Sequence, residues 1–229
     1  MASNRASSAM RKPLAKSSSS LTDRAYRSLE EMIVTLKLEP GSVLSETALA
    51  EKLGIGRTPI REALQRLARE GLITILPRKG ILVTEINPAK QLQLLEVRRA
   101  LERLLARGAA LRSSDEERAA FLEIAKGMET AARDNDDLMF LRHDDAFNKL
   151  MSKAARNEYA YRAMELLHSL SRRFWYTHYK DSADLPLCAR LHAEQARHIA
   201  LGDADRAAEA SDRLIDYVET FTRATVAPR

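Results

Sequence analysis

The stretch of sequence that decides the fold runs from Leu44 to Leu72 and reads LSETALAEKLGIGRTPIREALQRLAREGL. A first short helix is predicted from Ser45 to Leu53, because leucines recur along it at a helical spacing. Gly54, Ile55 and Gly56 follow, and two glycines within three residues are typical of a tight turn. A short helix followed by such a turn predicts the first half of a helix-turn-helix.

The second helix of this stretch has a clear predicted start. Thr58 is the expected N-cap, and Pro59 stands at the first helical position, where its fixed φ suits the helix and its missing N–H is not needed. The helix is expected to run to about Glu70, and Gly71 ends it. In a helix-turn-helix this second helix is the one that enters the major groove of DNA.

One helix before this stretch and one hairpin after it complete a domain. Residues 21–36 predict an amphipathic helix, because apolar side chains recur at steps of three and four. The β-branched runs 72–76 and 81–84 flank the turn sequence Pro-Arg-Lys-Gly, which predicts a two-stranded hairpin. Three helices and a hairpin within residues 21–87 predict a winged helix-turn-helix DNA-binding domain.

The rest of the chain reads as helical, so the predicted fold class is mainly α. Six helices are expected at 88–111, 115–133, 136–154, 157–180, 186–201 and 203–225. They predict an all-α six-helix bundle over residues 88–229. Residues 1–20 hold four basic side chains among many serines and no acid, which predicts a disordered basic tail.

Composition limits the classes of function. The chain has 229 residues, of which 45% are hydrophobic and 30% charged, as is usual for a helix-rich globular protein. The formal net charge of +5 is mild, so DNA binding has to be argued from where the charges stand. Cys188 is the single cysteine and cannot form an internal disulfide. No run approaches the roughly 18 apolar residues of a membrane helix, so we predict a cytoplasmic protein without a membrane partner.

Basic side chains are concentrated in the second helix of the helix-turn-helix. Between residues 57 and 69, four arginines stand against one glutamate. Arg57 and Arg61 are four residues apart and therefore project from the same side of the helix start. A guanidinium group in the major groove can donate to both O6 and N7 of guanine. Lys79 and Gly80 at the tip of the hairpin are expected to reach the adjacent minor groove or the phosphate backbone.

The stretch Leu44 to Leu72 resembles the GntR superfamily of bacterial transcription regulators. The remainder resembles the FCD branch of that superfamily, on the residues 97–102, 144–148 and His192 followed by Gly202. The resemblance implies double-stranded operator DNA as a partner, a homodimer, and a small-molecule effector that is a carboxylate. The residues that it implies at the DNA are Arg57, Thr58, Arg61, Lys79 and Gly80, with Gln65 and Arg66 as further candidates.

Members of the FCD branch hold a divalent metal with one aspartate and three histidines. The resemblance places Asp144 and His192 at two of these positions, but Asn148 and Leu214 stand where two histidines are usual. Two interpretations stay open. Either Asp144, His192 and the Asn148 carbonyl hold a weakly bound Zn²⁺ or Ni²⁺, or there is no metal cofactor and the cavity binds its ligand through hydrogen bonds and cationic groups.

Arg98 completes the predicted effector site. Glu102 lies four residues further along the same helix, so a structural ion pair and a bidentate contact to a ligand carboxylate are both compatible with the spacing. The residues predicted to bind the effector are Arg98, Asp144, Asn148 and His192.

Together these observations predict a repressor that binds a near-palindromic operator as a dimer and is released by a small organic acid. A DNA-binding protein without an effector, a helical interaction module and an enzyme are the alternatives. The sequence holds no nucleophile motif and no glycine-rich phosphate loop, so we predict that the protein is not an enzyme.

Overall fold

The N-terminal region of the protein has the predicted winged helix-turn-helix plan. The structure, a computed structural model, describes residues 20–182 and 184–226, so the predicted basic tail lies outside the described residues except for Ser20. The elements of this region are α1 Leu21–Val34, β1 Val43–Leu44, α2 Glu46–Leu53, α3 Arg57–Arg69, β2 Ile73–Leu76 and β3 Gly80–Val83.

Capping side chains and one glycine set the ends of the first two helices. The Ser20 hydroxyl accepts the backbone N–H of Asp23, and the Asp23 carboxylate accepts the backbone N–H of Ser20, which forms a capping box at α1. Ser45 caps α2 in a similar way. Gly54 ends α2 with φ +62°, a left-handed conformation that glycine adopts without steric cost.

The start of α3 differs from the prediction. Thr58 was expected to be the N-cap, but the helix begins at Arg57, and Gly56 occupies the cap position without a side-chain hydrogen bond. Thr58 therefore lies within the first turn. The reason is that Gly56 already has the extended backbone of a cap, with φ −58° and ψ 157°, so that the helix can begin directly after it.

A third strand joins the predicted hairpin. The sheet is antiparallel with the order β1-β3-β2, and Val43 pairs with Leu82 while Leu76 pairs with Gly80. Because β1 has only two residues, it carries no alternation that a sequence pattern could show. Gly80 has φ +112°, and a Cβ atom there would lie 2.8 Å from the carbonyl oxygen of Leu44. The wing therefore requires glycine at this position.

Within residues 88–182 and 184–226 the chain forms six helices, which confirm the all-α prediction with ends shifted by at most two residues. They are α4 Pro88–Arg112, α5 Asp115–Asp134, α6 Asp137–Ala154, α7 Glu158–Ser182, α8 Leu185–Leu201 and α9 Ala204–Val226. Asn87 caps α4 ahead of Pro88, and Ser114 and Glu117 form a capping box at α5.

Each region has its own hydrophobic core. Ile60 and Leu67 of α3 are fully buried in the first core, and Phe121 and Phe147 are buried in the second. The helix α7 faces both regions, because its Leu170 packs against the N-terminal core while most of α7 belongs to the bundle. The position of the DNA-binding region on the bundle therefore depends on α7.

Gly80→Ala is expected to lower the melting temperature more than Gly54→Ala. Both positions have positive φ, which costs a non-glycine residue about 1–3 kcal/mol, but a Cβ at residue 54 meets no atom within 4 Å. The excess effect at residue 80 then comes from the contact with Leu44 across β1 and β3 together with its φ of +112°, which L residues adopt less readily than the +62° of Gly54. Thermal unfolding of the two variants checks this, and equal losses would show that the close approach is not constraining.

Candidate functional site

The exposed face of α3 carries four of the sequence-predicted DNA contacts. Arg57, Thr58, Arg61 and Gln65 are exposed, whereas the opposite face of the helix, represented by Ile60, is buried in the core. The cap position of α3 has no side-chain hydrogen bond, so the backbone N–H groups of the first turn are open to an acceptor such as a phosphate oxygen. This face combines cationic side chains with the positive end of a helix.

Arg61 is oriented by a neighbouring helix. Its Nε and Nη2 donate to the two carboxylate oxygens of Glu46 on α2, at 3.1 and 2.9 Å. This hydrogen bond raises the pKa of Arg61, and the side chain stays exposed. The pair is solvated, so a nucleic-acid acceptor can compete with Glu46 for the guanidinium at little cost.

Arg66 lies on a different side of α3 from the other candidates. Its Nε donates to Glu70 at 3.1 Å, its Nη2 donates to Glu165 of α7 at 3.1 Å, and the guanidinium stacks 3.8 Å from the centre of the Tyr26 ring. The prediction that Arg66 contacts DNA does not fit this arrangement. The side chain instead joins α3 to the bundle, because its planar group matches two carboxylates and one aromatic face.

The turn between β2 and β3 presents a second cationic group. Arg78 has φ +62° and Lys79 is exposed, and neither forms an ion pair with any residue of the described chain. The Lys79 N–H donates to the carbonyl of Leu76 at 3.0 Å and closes the turn. Gly80 is only partly exposed and shapes the turn through its backbone. The wing tip therefore offers the Lys79 ammonium to an acceptor outside the protein.

The second candidate site is a small cavity inside the helical bundle, which we call the buried cavity. It has a volume of about 30 Å³, enough for water but not for an organic ligand without rearrangement. Its polar lining consists of Arg98, Asp144, Ser171, Arg172 and His192. Its apolar lining comes from Phe140, Leu141, Trp175, Leu214 and Val218, with Cys188 beside His192. The cavity therefore brings together three of the four predicted effector residues.

Asp144 stands at the centre of the polar network. Its Oδ1 accepts the Asn148 amide at 2.7 Å and lies 3.2 Å from His192 Nε2, and its Oδ2 lies 3.2 Å from Arg172 Nε. Burial alone would raise the pKa of Asp144, but the hydrogen bond and charge of His192, with smaller effects from other cations, lower it below its ordinary value. The carboxylate is therefore ionised.

His192 is held in one orientation. Its Nδ1–H donates to the carbonyl oxygen of Cys188 at 2.8 Å, which directs Nε2 toward Asp144. Burial would lower the pKa of His192, but the neighbouring Cys188 and Asp144 raise it well above its ordinary value. The imidazole is thus cationic at neutral pH and forms a buried ion pair with Asp144.

Arg172 on α7 connects the buried cavity to the DNA-binding region. Besides Asp144, its guanidinium contacts Glu30 of α1 at 2.5 Å, Asp145 at 3.5 Å and the carbonyl oxygen of Leu141 at 3.0 Å. Burial would lower the pKa of Arg172, but Glu30 and the two aspartates raise it. One buried cation therefore balances carboxylates on two helices.

Arg98 fits both interpretations that its spacing left open. It forms a buried ion pair with Glu102 on the same helix and donates from Nη1 to the Ser171 hydroxyl at 2.5 Å. It also lines the buried cavity. Trp175, which sequence reasoning gave no ligand role, lines the cavity too, and its buried Nε1–H has no hydrogen-bond partner among the described residues. An unpaired buried donor of this kind is costly unless an acceptor meets it.

Asn148 does not line the buried cavity. Its Nδ2 donates to both the side chain and the backbone oxygen of Asp144, and the residue borders a different cavity beside His168. The prediction of Asn148 as an effector or metal contact therefore does not fit its place. Its role in this geometry is to fix the Asp144 carboxylate.

The side chains of the buried cavity do not form a good site for Zn²⁺ or Ni²⁺. Asp144 and His192 are suitable ligands, but Leu214 has no donor atom and the Asn148 amide group turns its N–H toward Asp144. The guanidinium groups of Arg98 and Arg172 line the same cavity and would repel a divalent cation. Within residues 20–182 and 184–226, no group of three or more His, Cys, Asp or Glu side chains is arranged to hold a metal ion.

Arg172 was not among the site residues predicted from the sequence. The available signal was two consecutive arginines, Arg172 and Arg173, inside a stretch of α7 that is otherwise rich in aromatic residues. Charged residues are rarely buried unless they are paired, so such a position indicates a buried network. Its carboxylate partners lie on α1 and α6, and no local pattern identifies them.

Family comparisons agree with the two regions. Residues 21–83 match the family model described as bacterial regulatory proteins, gntR family, and residues 93–217 match the FCD domain model. No described helix is long and apolar enough to cross a membrane.

Individual proteins show similarity over different lengths. The chain is 27% identical to the HTH-type transcriptional repressor RspR of Escherichia coli, over 89% of each protein. It is 43% identical over 77 residues to an uncharacterized HTH-type transcriptional regulator of Streptomyces ambofaciens. The matched stretch covers 34% of this chain and 33% of that protein. The solved structure of E. coli McbR/YncC superposes with a TM-score of 0.77 at 18% identity, over 91% of this chain and 99% of that one.

His192→Gln is expected to remove a pH dependence of stability. The raised pKa of His192 stabilises the folded state fully below the ordinary value of about 6.5, and this contribution declines as the pH rises through the folded-state pKa. The melting temperature of the wild type should therefore fall between pH 6.5 and 9 more steeply than that of the variant. Asp144→Asn should flatten the curve in the same way, because the carboxylate helps to raise that pKa. Parallel curves for all three proteins would contradict the buried ion pair.

Proposed function

Because the chain belongs to the GntR family of bacterial regulators, in the branch that carries an FCD domain, we propose that it represses transcription as an effector-responsive homodimer on a near-palindromic operator. That the protein is a DNA-binding transcription regulator and not an enzyme follows from the family itself. The observation that carries the proposal is the exposed cationic surface formed by Arg57 and Arg61 on α3 and Lys79 at the wing tip.

This surface suits DNA in two ways. Arg57, Arg61 and Gln65 project from the side of α3 that is open to solvent, where side chains of a recognition helix can reach base edges in the major groove. Thr58 and the uncapped N–H groups of the first turn suit a phosphate oxygen. Lys79 extends the cationic surface to the wing, where contact with the backbone adds affinity without reading sequence.

An exposed apolar row on α4 supports the homodimer. Val97, Leu104 and Leu111 are spaced by seven residues and are 51%, 49% and 63% exposed. A seven-residue spacing keeps these side chains on one face of the helix, and a row of this kind is typical of helix-helix contact between two chains. Two copies related by a two-fold axis would present two α3 helices to half-sites of a near-palindromic operator.

Arg57→Ala is expected to weaken operator binding about tenfold to a hundredfold, the range for loss of one bidentate base contact. Lys126→Ala is the matched control, because Lys126 is an exposed cation on α5 with an ion pair to Glu123 and lies in the helical bundle. Selection of an operator from random duplexes, followed by titration with each variant, provides the measurement. The complex should contain two chains per duplex by analytical ultracentrifugation. Equal affinities of the two variants, or one chain per duplex, would refute the proposed mode of binding.

We further propose that the effector is a small organic acid bound without a metal in the buried cavity. Arg98 and cationic His192 supply positive charge to a carboxylate, and the unpaired Trp175 Nε1–H supplies a donor. Phe140 and Val218 provide apolar walls for the rest of the ligand. The guanidinium and imidazolium groups in this way take the place that a metal holds in relatives with a complete ligand set.

The small volume of the cavity suggests how binding would act on DNA affinity. At about 30 Å³ the cavity admits an organic acid only if the side chains around Asp144 and Arg172 move. Arg172 also contacts Glu30 of α1. Movement of Arg172 would therefore change the position of the DNA-binding region on the bundle. A ligand shifts such an equilibrium by its difference in affinity for the two states. The relative RspR is named a transcriptional repressor, which supports the direction proposed here, release from the operator.

The small volume of this cavity favours one alternative, a regulator that needs no effector. A thermal-shift screen of small carboxylates, amino acids and sugar acids, run with and without a chelator, separates the two. We expect at least one acid to raise the melting temperature, to keep its effect in the chelator, and to lower operator affinity. An effect that requires added Zn²⁺ or Ni²⁺ would overturn the metal-free proposal, and a screen without any hit would favour the effector-independent regulator.

A further inference from the structure

A second and larger cavity lies at the junction of the two regions. This junction cavity has a volume of about 420 Å³, within the roughly 300–1,000 Å³ range of small-molecule sites. It lies between α7, the start of α4 and the segment 84–87 that connects β3 to α4. None of the residues of the proposed effector site line it.

Arg173 is the unusual group in the junction cavity. The residue is only 3% exposed, against 7% for Arg172. Nη1 donates to the carbonyl oxygen of Thr84 at 2.9 Å, and Nη2 donates to the Thr84 hydroxyl at 3.0 Å and weakly to the carbonyl of Glu85 at 3.5 Å. All three acceptors are neutral. The buried Nε–H has no hydrogen-bond partner among the described residues.

Arg173 therefore differs from the other buried arginines, because no carboxylate of the described chain lies within 4.0 Å of its guanidinium. Glu85 also lines the cavity, but its carboxylate lies against Gly41, on the β1 side of the connecting segment. Burial lowers the pKa of Arg173 to about 10, and Glu85 offsets this only in part. A buried cation without a counter-charge is costly, and a bound anion would remove that cost.

The rest of the lining indicates what kind of anion fits. Lys90 provides a second cation at the mouth of the cavity. Gln91 also lines the cavity, but its Nε2 donates to the Ser171 hydroxyl at 3.0 Å. Leu94, Leu170 and Phe174 form apolar walls. A site with cationic groups on one side and an apolar wall on the other favours a molecule that has both a charged and an apolar part.

We propose that the junction cavity is a second ligand site, which takes an organic monocarboxylate with its charged end at Arg173 and its apolar part against Leu170 and Phe174. Such a ligand would bind both α7 and the segment 84–87 that leads into the wing. This inference does not rest on the effector proposed for the buried cavity, because it concerns different residues and can be measured without DNA.

The test uses the full chain and isothermal titration calorimetry with benzoate. We expect one benzoate site per chain, and much weaker binding of benzamide, which has the same shape without the charge. Inorganic phosphate should also bind more weakly than benzoate, because it has no apolar part. Phosphate that binds as tightly as benzoate would overturn the organic assignment, and benzamide that binds as tightly would overturn the role of the cation.

Variants locate the site. Arg173→Gln is expected to weaken benzoate binding by about tenfold or more, which corresponds to about 1.4 kcal/mol. Arg173→Gln also removes contacts to Thr84, so a second variant is needed at an exposed lining residue. Lys90→Gln is that variant, and we expect it to weaken benzoate binding several-fold. Lys126→Gln is the matched control, and we expect it to leave benzoate binding unchanged. Loss of binding in His192→Gln would place benzoate in the buried cavity and overturn the proposal. If the wild type does not bind benzoate, the proposal is also overturned. This holds even if the reason is that a second copy of the chain covers the cavity.

Discussion

The arrangement of the whole molecule depends on the buried guanidinium of Arg172. It contacts Glu30 on α1 and Asp144 on α6, and both carboxylates are as buried as the arginine itself. In a buried network the removal of one partner leaves an uncompensated charge, which costs several kcal/mol, roughly 3–5 in measured cases. Separating any of the three groups from its partner is therefore unfavourable unless another charge replaces that partner. This makes the contact between the DNA-binding region and the bundle specific, and it ties that contact to the state of the buried cavity.

The neighbouring side chains of α7 extend this constraint. Arg173 holds the connecting segment at Thr84, and Glu165 accepts a hydrogen bond from Arg66 on α3. Leu170, between them along the helix, packs against the N-terminal core. Apolar packing by Leu170 and directional polar contacts therefore act together at this junction. Contacts of this kind have distinct arrangements rather than a continuous range, which suits the two states that the proposed effector response requires.

Much of the fold was predictable because its signals are local. Capping residues such as Ser114, glycine turns and apolar periodicity set the six bundle helices and the winged helix-turn-helix. The errors share a different cause. The strand β1 exists only because Val43 and Leu44 meet β3, Arg66 turns toward Glu165 of a helix 99 residues away, and Asn148 faces Asp144 rather than the cavity. Spacing on one helix gives the side of a residue but not its partner on another helix, so contacts between elements have to come from the structure.

The charges around Asp144 give a physical reason why this buried polar network can persist without the two histidines that the family resemblance implied. The carboxylate is buried and needs positive charge nearby. Cationic His192 and Arg172 supply it within 3.2 Å, and the Asn148 amide satisfies an oxygen lone pair. A site built in this way is balanced before any ligand arrives. An entering organic acid would compete with Asp144 for the same cations. The ion pair between Arg172 and Asp144 would become weaker, and the ion pair between Arg172 and Glu30 would become stronger. Under the function proposed here, the effector changes the distribution of one arginine between two carboxylates, and the DNA-binding region carries one of them.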